Sequence, residues 1–347
     1  MKKWRIDGYA DFFNKIICVC EAELVEALRN DSKKEYYKES FEKKKKNGSR
    51  KIYCVKKSHV LYTIQKNLRV NFLDNVLLSD SAYGFQKGKS YFDFLEHHTS
   101  VYPGIKYLRL DIADFFGSIR YDELEKILSF YFEESENLSS KEKEKLINYT
   151  MEIITYEKKL LQGSVTSPVV SNIYFRQLDQ RIGKYCRLLD VDYSRYADDL
   201  LFSNYQNKLE WKFIKRIDYI IGSLGLSLNM SKTKQSDAQI VLKGFVLGEE
   251  IHLSRKKLSS LNRIVFYLSN RKWKNTSLEY EELNKHLQVQ DSNEQLIFSG
   301  KYSLANYLNG NRAFFIANMP YIKSTKKKEK YEKLITRIDN VVDKLIK

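Results

Sequence analysis

Cysteine, histidine and proline are scarce in this chain: four, five and three residues among 347. Cys18, Cys20, Cys54 and Cys186 form no Cys-x-x-Cys pair and no Cys/His set with zinc spacing. This argues against a structural zinc site and a disulfide framework, and for reduced thiols. With so little proline, no proline-rich linker marks a domain boundary. No stretch approaches the roughly 20 apolar residues of a membrane-spanning helix. The opening "MKKWRIDGYADFF" lacks the apolar core and small-residue cleavage site of a secretory signal. A cytoplasmic protein without a membrane partner is expected. No internal repeat is visible.

Positive charge is abundant. Sixty Lys and Arg stand against 44 Asp and Glu, a formal net charge of +16. That balance suits a polyanion, and nucleic acid above all. The 25 tyrosines strengthen this reading, because rings interleaved with Lys and Arg suit base and sugar stacking. The plainer alternative is a basic soluble protein, or one that touches anionic lipid.

Residues 1–45 read as mostly helical, with apolar residues at helical spacing in "DFFNKIICVCEAELVEALRN". "KKKKNGSRKIYCVKKS" (43–58) reads as a basic turn entering a β-prone segment, and its Asn-Gly suggests a hairpin. An amphipathic helix is expected over 59–78 and a glycine-punctuated basic loop over 82–90. "IKYLRLDIADFF" (105–116) reads as a buried strand. A loop and then a helix follow over 160–189. "VDYSRYADDLLFSN" reads as two short strands around a tight turn, and the next helix should end near Gly222 or Gly225. A β-hairpin is expected over 239–254, and 255–347 is mainly helical and basic.

Asp198 and Asp199 adjoin in that predicted turn, between apolar flanks. Adjacent carboxylates repel, and burying them is costly without a neutralising positive charge. Asp111 ends an apolar strand, with Asp114 three residues on. If the strands of Asp111 and Asp198 are neighbours, three acids meet at one sheet edge. With few histidines, such hard oxygen ligands point to Mg²⁺ or Mn²⁺. Two such ions about 4 Å apart can clamp an in-line phosphoryl displacement. The plain alternative is a surface turn carrying two solvated aspartates.

Three further segments, in order, favour the metal reading. "LDIADFFGSI", "QGSVTSPVVSNIYFRQLD", "RYADDLLFS", "GLSLNMSKTK" and "VLKGFVLG" resemble, in order and spacing, the motifs of reverse transcriptases. The resemblance covers roughly residues 45–310. "GSRKIYCV", "AYGFQKGKS" and "GKYSLANYLNGN" resemble the bacterial retron and phage-defence branch. The chain departs from the family pattern in one place and from that branch in two. Leu161 stands where proline is usual, "FLEHH" keeps only His98 of an Asn-Ala-x-x-His element, and Leu242-Lys243-Gly244 replaces Val-Thr-Gly.

The resemblance implies roles. Asp111 and Asp198 match the aspartates that hold two metal ions, and Asp199 the second acid of the pair. The backbone of Ile112, Ala113, Asp114 and Phe115 matches the turn whose N–H groups cradle the incoming triphosphate. Phe116 matches a steric gate against a ribose 2′-OH, implying dNTP substrates and disfavouring an RNA-dependent RNA polymerase. Arg50, with Lys51 beside it, matches the arginine that grips the triphosphate. Gln162 and Gly163 match contacts to the nascent base pair and sugar. Lys232 matches a proposed general acid for pyrophosphate, with Lys234 its rival by register. Leu242, Lys243 and Gly244 match the primer grip.

The implied fold is an α+β right-hand polymerase with an antiparallel palm sheet and a helical thumb. Fingers are expected from 1–103, palm from 104–251 with a fingers insertion at 117–160, and thumb plus basic tail from 252–347. The implied reaction is RNA-directed DNA synthesis from a primer 3′-OH, on a dedicated noncoding RNA, in anti-phage defence. Three alternatives stay open: a retron proper making branched RNA–DNA, untemplated or protein-primed DNA synthesis, and a non-catalytic RNA-binding scaffold. An effector protein and a homo-oligomer remain open as partners.

Overall fold

The computed structural model describes residues 5–45, 48–270, 276–288 and 298–346, and only the backbone of most of 38–52, of 54 and of 286–288. The chain forms two compact units. One comprises 1–94 and 106–235, the other 95–105 and 236–347.

Strand β1 (Tyr37–Lys45) and strand β2 (Gly48–Val55) pair antiparallel in the first unit. The sequence points instead to helix over most of β1. Its run of charged residues carries no strand periodicity, and pairing with β2 supplies the backbone partners. The expected turn residues 46 and 47 lie outside the described residues.

Four further strands build a sheet: β3 (Lys106–Asp111), β4 (Asp192–Tyr196), β5 (Asp199–Asn204) and β6 (Lys234–Asp237), in the order β4-β5-β3-β6. β3 stops at Asp111, earlier than the apolar run suggests, because Asp114 adopts a left-handed φ of 39° in the turn that follows. β6 is not foreshadowed in the sequence, since "KQSD" has neither apolar alternation nor β-branched residues.

The pairing of β3 with β5 sets Leu108 opposite Phe202, Leu110 opposite Leu200 and Asp111 opposite Asp199. Side chains alternate along a strand, so the two faces can be sorted. Leu108, Leu110, Leu200, Phe202 and Tyr193 lie on the face covered by helices Ser167–Arg187 and Trp211–Gly222. Phe202 stacks on Tyr193 and meets Phe213 edge-on, each at 5.1 Å between ring centres. Arg109, Asp111 and Asp199 therefore lie on the other face.

The second unit carries a three-stranded sheet, β7 (Ile240–Leu242), β8 (Phe245–Leu247) and β9 (His252–Leu253). Lys243 and Gly244 join β7 to β8 with φ of 46° and 88°. Positive φ at both positions is the geometry that a two-residue hairpin turn needs, and glycine supplies it without strain. Helices Arg255–Ser269, Ser277–Gln288, Lys301–Asn318 and Thr325–Ile346 follow. Tyr331, in the last of them, accepts the Leu253 amide at 3.1 Å. Among the described residues no helix is long and apolar enough to cross a membrane.

Candidate active site

β3 and β5 end together, so their register alone places Asp111 beside Asp199. Both are buried, at 2% exposure, whereas Asp198 in the turn is half-buried. The turn is tight: Ala197 has a φ of 57°, and the Asp198 carbonyl accepts the Ile112 amide at 3.0 Å. The three acids expected to meet do converge at one end of this sheet.

Two cations are built in among them. Lys232 Nζ donates to Asp111 Oδ1 at 2.6 Å. Arg109 Nε donates to Asp199 Oδ1 at 2.8 Å, and Nη2 reaches the same oxygen and Asp111 Oδ2 at 3.0 Å. Burial works to lower the Arg109 pKa, but the Asp199 and Asp111 carboxylates outweigh it and hold the value above the ordinary one. Tyr91 lies close by, its ring 5.0 Å from that of Tyr196. Burial first, then the Asp199 charge, keep its phenol protonated.

Among the described residues no group of three or more His, Cys, Asp or Glu stands ready around a metal position. Both Asp111 oxygens and Asp199 Oδ1 are engaged by Arg109 and Lys232. The donor chemistry nevertheless fits a hard divalent cation, because the acids Asp111, Asp198 and Asp199 offer carboxylate oxygens. Asp111 and Asp198, with Asp199 beside them, are the carboxylates that could hold it.

Behind the turn lies a second, fully buried constellation. Arg195, on β4, is 0% exposed. Its Nε and Nη2 donate to Asp179, the latter at 2.7 Å, and its Nη1 donates to Asn172 Oδ1 at 3.0 Å and to the Ala197 carbonyl at 3.1 Å. Tyr193 donates its hydroxyl to Asp179 at 2.7 Å. The helix Ser167–Arg187 is thereby tied to the acid-bearing turn by an ionic clamp. Sequence reasoning missed Arg109, Arg195, Asp179 and Tyr91 as site residues. For the two arginines a signal existed: a cation two residues from a buried strand residue shares its face.

Gly84 closes the turn from the other side. It accepts a hydrogen bond from Asn172 Nδ2 at 2.8 Å, and a Cβ there would lie 2.6 Å from the Ala197 nitrogen. That neighbour is backbone and cannot swing aside. Gly84→Ala should therefore displace the turn and lower polymerisation by about 10²-fold, with a modest loss of melting temperature. Single-turnover extension beside a thermal melt checks this.

The expected triphosphate cradle is narrower than the sequence suggests. The Ile112 amide is used on Asp198, and the Ala113 amide donates to the Ser227 carbonyl at 2.9 Å. An amide has one hydrogen, so the Ile112 and Ala113 amides are not available to a triphosphate. Phe116 is half-buried against Phe115 and Phe85, with ring centres 5.4 and 6.3 Å away. Gln162 and Gly163 sit beside β2, the Gln162 carbonyl accepting the Tyr53 amide at 3.2 Å. Gly163 has a φ of 113°, and a Cβ there would run into the Tyr53 carbonyl. Arg50 and Lys51 lie on β2 opposite Lys43 and Glu42. Their side chains lie outside the described residues. Lys234 lies on β6, and Lys232 is the lysine whose Nζ contacts Asp111. Leu242, Lys243 and Gly244 lie in the β7–β8 turn of the second unit, where the Gly244 carbonyl accepts the Ser254 amide at 2.8 Å. His98 is buried, and burial first, then His97, hold its pKa well below the ordinary value.

Residues 42–265 match the family described as reverse transcriptase (RNA-dependent DNA polymerase). That is more than half of the chain, and the chain belongs to this family. Among curated proteins it is similar to bacterial retron enzymes. The Retron Ec73 reverse transcriptase of Escherichia coli is 28% identical over 238 residues, covering 65% of this chain and 73% of that one. The Retron Ec86 enzyme of the same species is 28% identical over 219 residues, covering 61% and 63%. The Retron Mx65 enzyme of Myxococcus xanthus is 25% identical over 170 residues, covering 46% and 38%. Among solved structures, a Candida albicans telomerase in complex with a fragment of telomeric RNA is 12% identical, with a TM-score of 0.46 over 88% of this chain and 65% of that one. Family membership makes the chain an RNA-directed DNA polymerase, and enzymes of this family work with divalent metal ions.

Proposed function

We propose that this enzyme copies a dedicated noncoding RNA into DNA, adding dNTPs to a primer hydroxyl at Asp111 and Asp198 with two divalent ions, and that it serves anti-phage defence. The observation that carries the catalytic part is the Asp111–Asp199 register at the strand ends, with Asp198 in the adjoining turn. Bound Mg²⁺ or Mn²⁺ would activate the primer hydroxyl and stabilise charge on the transferring phosphate. Asp111 and Asp198 hold the ions in place. Lys232, already 2.6 Å from Asp111, is positioned to protonate the departing pyrophosphate. The Asp114–Phe115 turn receives the triphosphate, and Arg50 with Lys51 grips it from the fingers. Leu242, Lys243 and Gly244 form the primer grip. A net charge of +16 supports a long contact with nucleic acid.

The deciding experiment is primer extension on an RNA template with dNTPs, beside an Asp198→Ala/Asp199→Ala control. DNA made by the wild type and not by the control supports the reading. Equal products from both would overturn it. Sequencing the RNA and DNA that co-purify with the protein tests the dedicated template. Phage challenge of cells expressing either form tests the defence role.

The similarity to retron enzymes favours a second reading, priming from a 2′-OH of the enzyme's own RNA. Branched RNA–DNA in the co-purified nucleic acid would distinguish it. Phe116 sets sugar choice on either reading. Phe116→Ala opens space beside the 2′ position and should raise rNTP incorporation relative to dNTP by roughly tenfold or more, measured as competing kcat/KM values.

A further inference from the structure

We infer that Arg109 is a built-in counter-cation of the acid cluster: it carries the positive charge that buried Asp111 and Asp199 require before any metal arrives, and it competes with metal for them. Its side chain is 14% exposed and touches carboxylates that are 2% and 3% exposed. Three of its nitrogens are engaged at once: Nε and Nη2 on Asp199 and Asp111, and Nη1 on the Lys232 carbonyl at 3.2 Å. The fork therefore joins β3, β5 and the turn that carries Lys232 into one unit. Lys232 reaches Asp111, but it is 43% exposed and hangs on a flexible stem. Arg109 is shielded, and its planar fork suits carboxylates.

The physical need is plain. Two carboxylates set opposite each other on adjacent strands repel, and burial deepens the cost. Without a fixed cation the strand ends would splay. With Arg109 in place the site folds ready-made. Asp199 is then held as a partner of Arg109, and a metal ion that takes up Asp111 must draw it away from Arg109 and Lys232. Arg109 is thus a positioning residue. The competition part rests on the metal reading given above, but the counter-charge part does not, and the tests separate them.

The first test is melting of the full-length protein in EDTA and in millimolar Mn²⁺. The wild type should shift little between the two. Arg109→Met should melt about 5–10 °C lower in EDTA, and Mn²⁺ should recover at least half of the loss. Arg109→Met/Asp199→Asn removes the charge that Arg109 balances and should recover stability in EDTA alone. If Arg109→Met cannot be purified, recovery of the double variant as soluble protein reports the same compensation. An Arg109→Met that melts like the wild type overturns the inference. So does a loss that Asp199→Asn does not relieve.

The second test is Mn²⁺ binding followed by electron paramagnetic resonance, with no nucleic acid present. Arg109→Met should bind Mn²⁺ roughly tenfold more tightly than the wild type. Equal or weaker binding overturns the competition. Rescue by Asp199→Asn together with no Mn²⁺ binding by any form would leave the counter-charge standing and sink the metal reading instead.

Discussion

Asp111→Asn should leave a folded protein whose polymerase activity has fallen about 10³-fold or more. The side chain is almost wholly buried, yet both oxygens are in use, one on Lys232 and one on Arg109. An amide in its place keeps the volume and removes the charge. A metal ion held by a carboxylate contributes several kcal/mol to the stabilisation of charge on a transferring phosphate. At about 1.36 kcal/mol per tenfold, losing most of it gives the stated factor. Stability should fall by only ~1.5–3 kcal/mol, the range for a hydrogen bond to a charged group, because Arg109 keeps Asp199 as its partner. The comparison with its neighbours sharpens the test. Asp198→Asn, in the half-buried turn, should cost a similar factor in rate with less loss of stability. Asp199→Asn should cost less in rate and more in stability, since its carboxylate is the main anchor of Arg109. Single-turnover extension and thermal melts of the three variants check this order. Equal rates for Asp111→Asn and the wild type would remove these acids from the chemistry.

Much of this site is legible in the amino-acid sequence, and the parts that are not follow a physical pattern. The aspartates stand out because charge is improbable within apolar strand sequence, and "YADD" concentrates it between two such runs. Arg109 shares a strand face with Asp111 by simple alternation. Whether it faces solvent or a second acid depends on the register with β5, which no local pattern encodes. Arg195 poses the same difficulty across a longer gap, since its partner Asp179 lies 16 residues away on a helix. The polar residues of that helix have the pattern of an ordinary solvated face, and only the fold brings Asp179 under the turn. β1 reads as helix because its backbone is held by pairing rather than by an apolar period. The triphosphate cradle reads too wide for a related reason. A stretch of sequence shows that a turn exists, but not which of its amides neighbouring strands have already engaged.

Arg195→Ala should be the most destabilising single change at the site. The Arg195–Asp179 pair is 0% exposed on both sides. Burial opposes the guanidinium charge, but Asp179 outweighs it and holds the Arg195 pKa above its ordinary value. Removing one member strands the other charge in the core, at a cost of about 3–5 kcal/mol. For a unit of this size that corresponds to a loss of ~10–15 °C in melting temperature. A second variant separates the clamp's two jobs. Arg195→Met with Asp179→Leu and Tyr193→Phe removes both charges and the hydroxyl that depends on them. Apolar replacement of a buried pair is often neutral, so at least half of the lost stability should return. Activity should not. Arg195 Nη1 holds the Ala197 carbonyl, and no apolar side chain can hold the left-handed backbone that aims Asp198. The triple variant is therefore expected to fold, to bind primed template, and to extend it about 10²-fold more slowly, the order of loss that a small misplacement of reacting groups produces. Full activity in the triple variant would make the clamp a matter of folding alone. A slow but stable protein would show that the ion pair buried beneath the turn is retained to hold the catalytic acids in place.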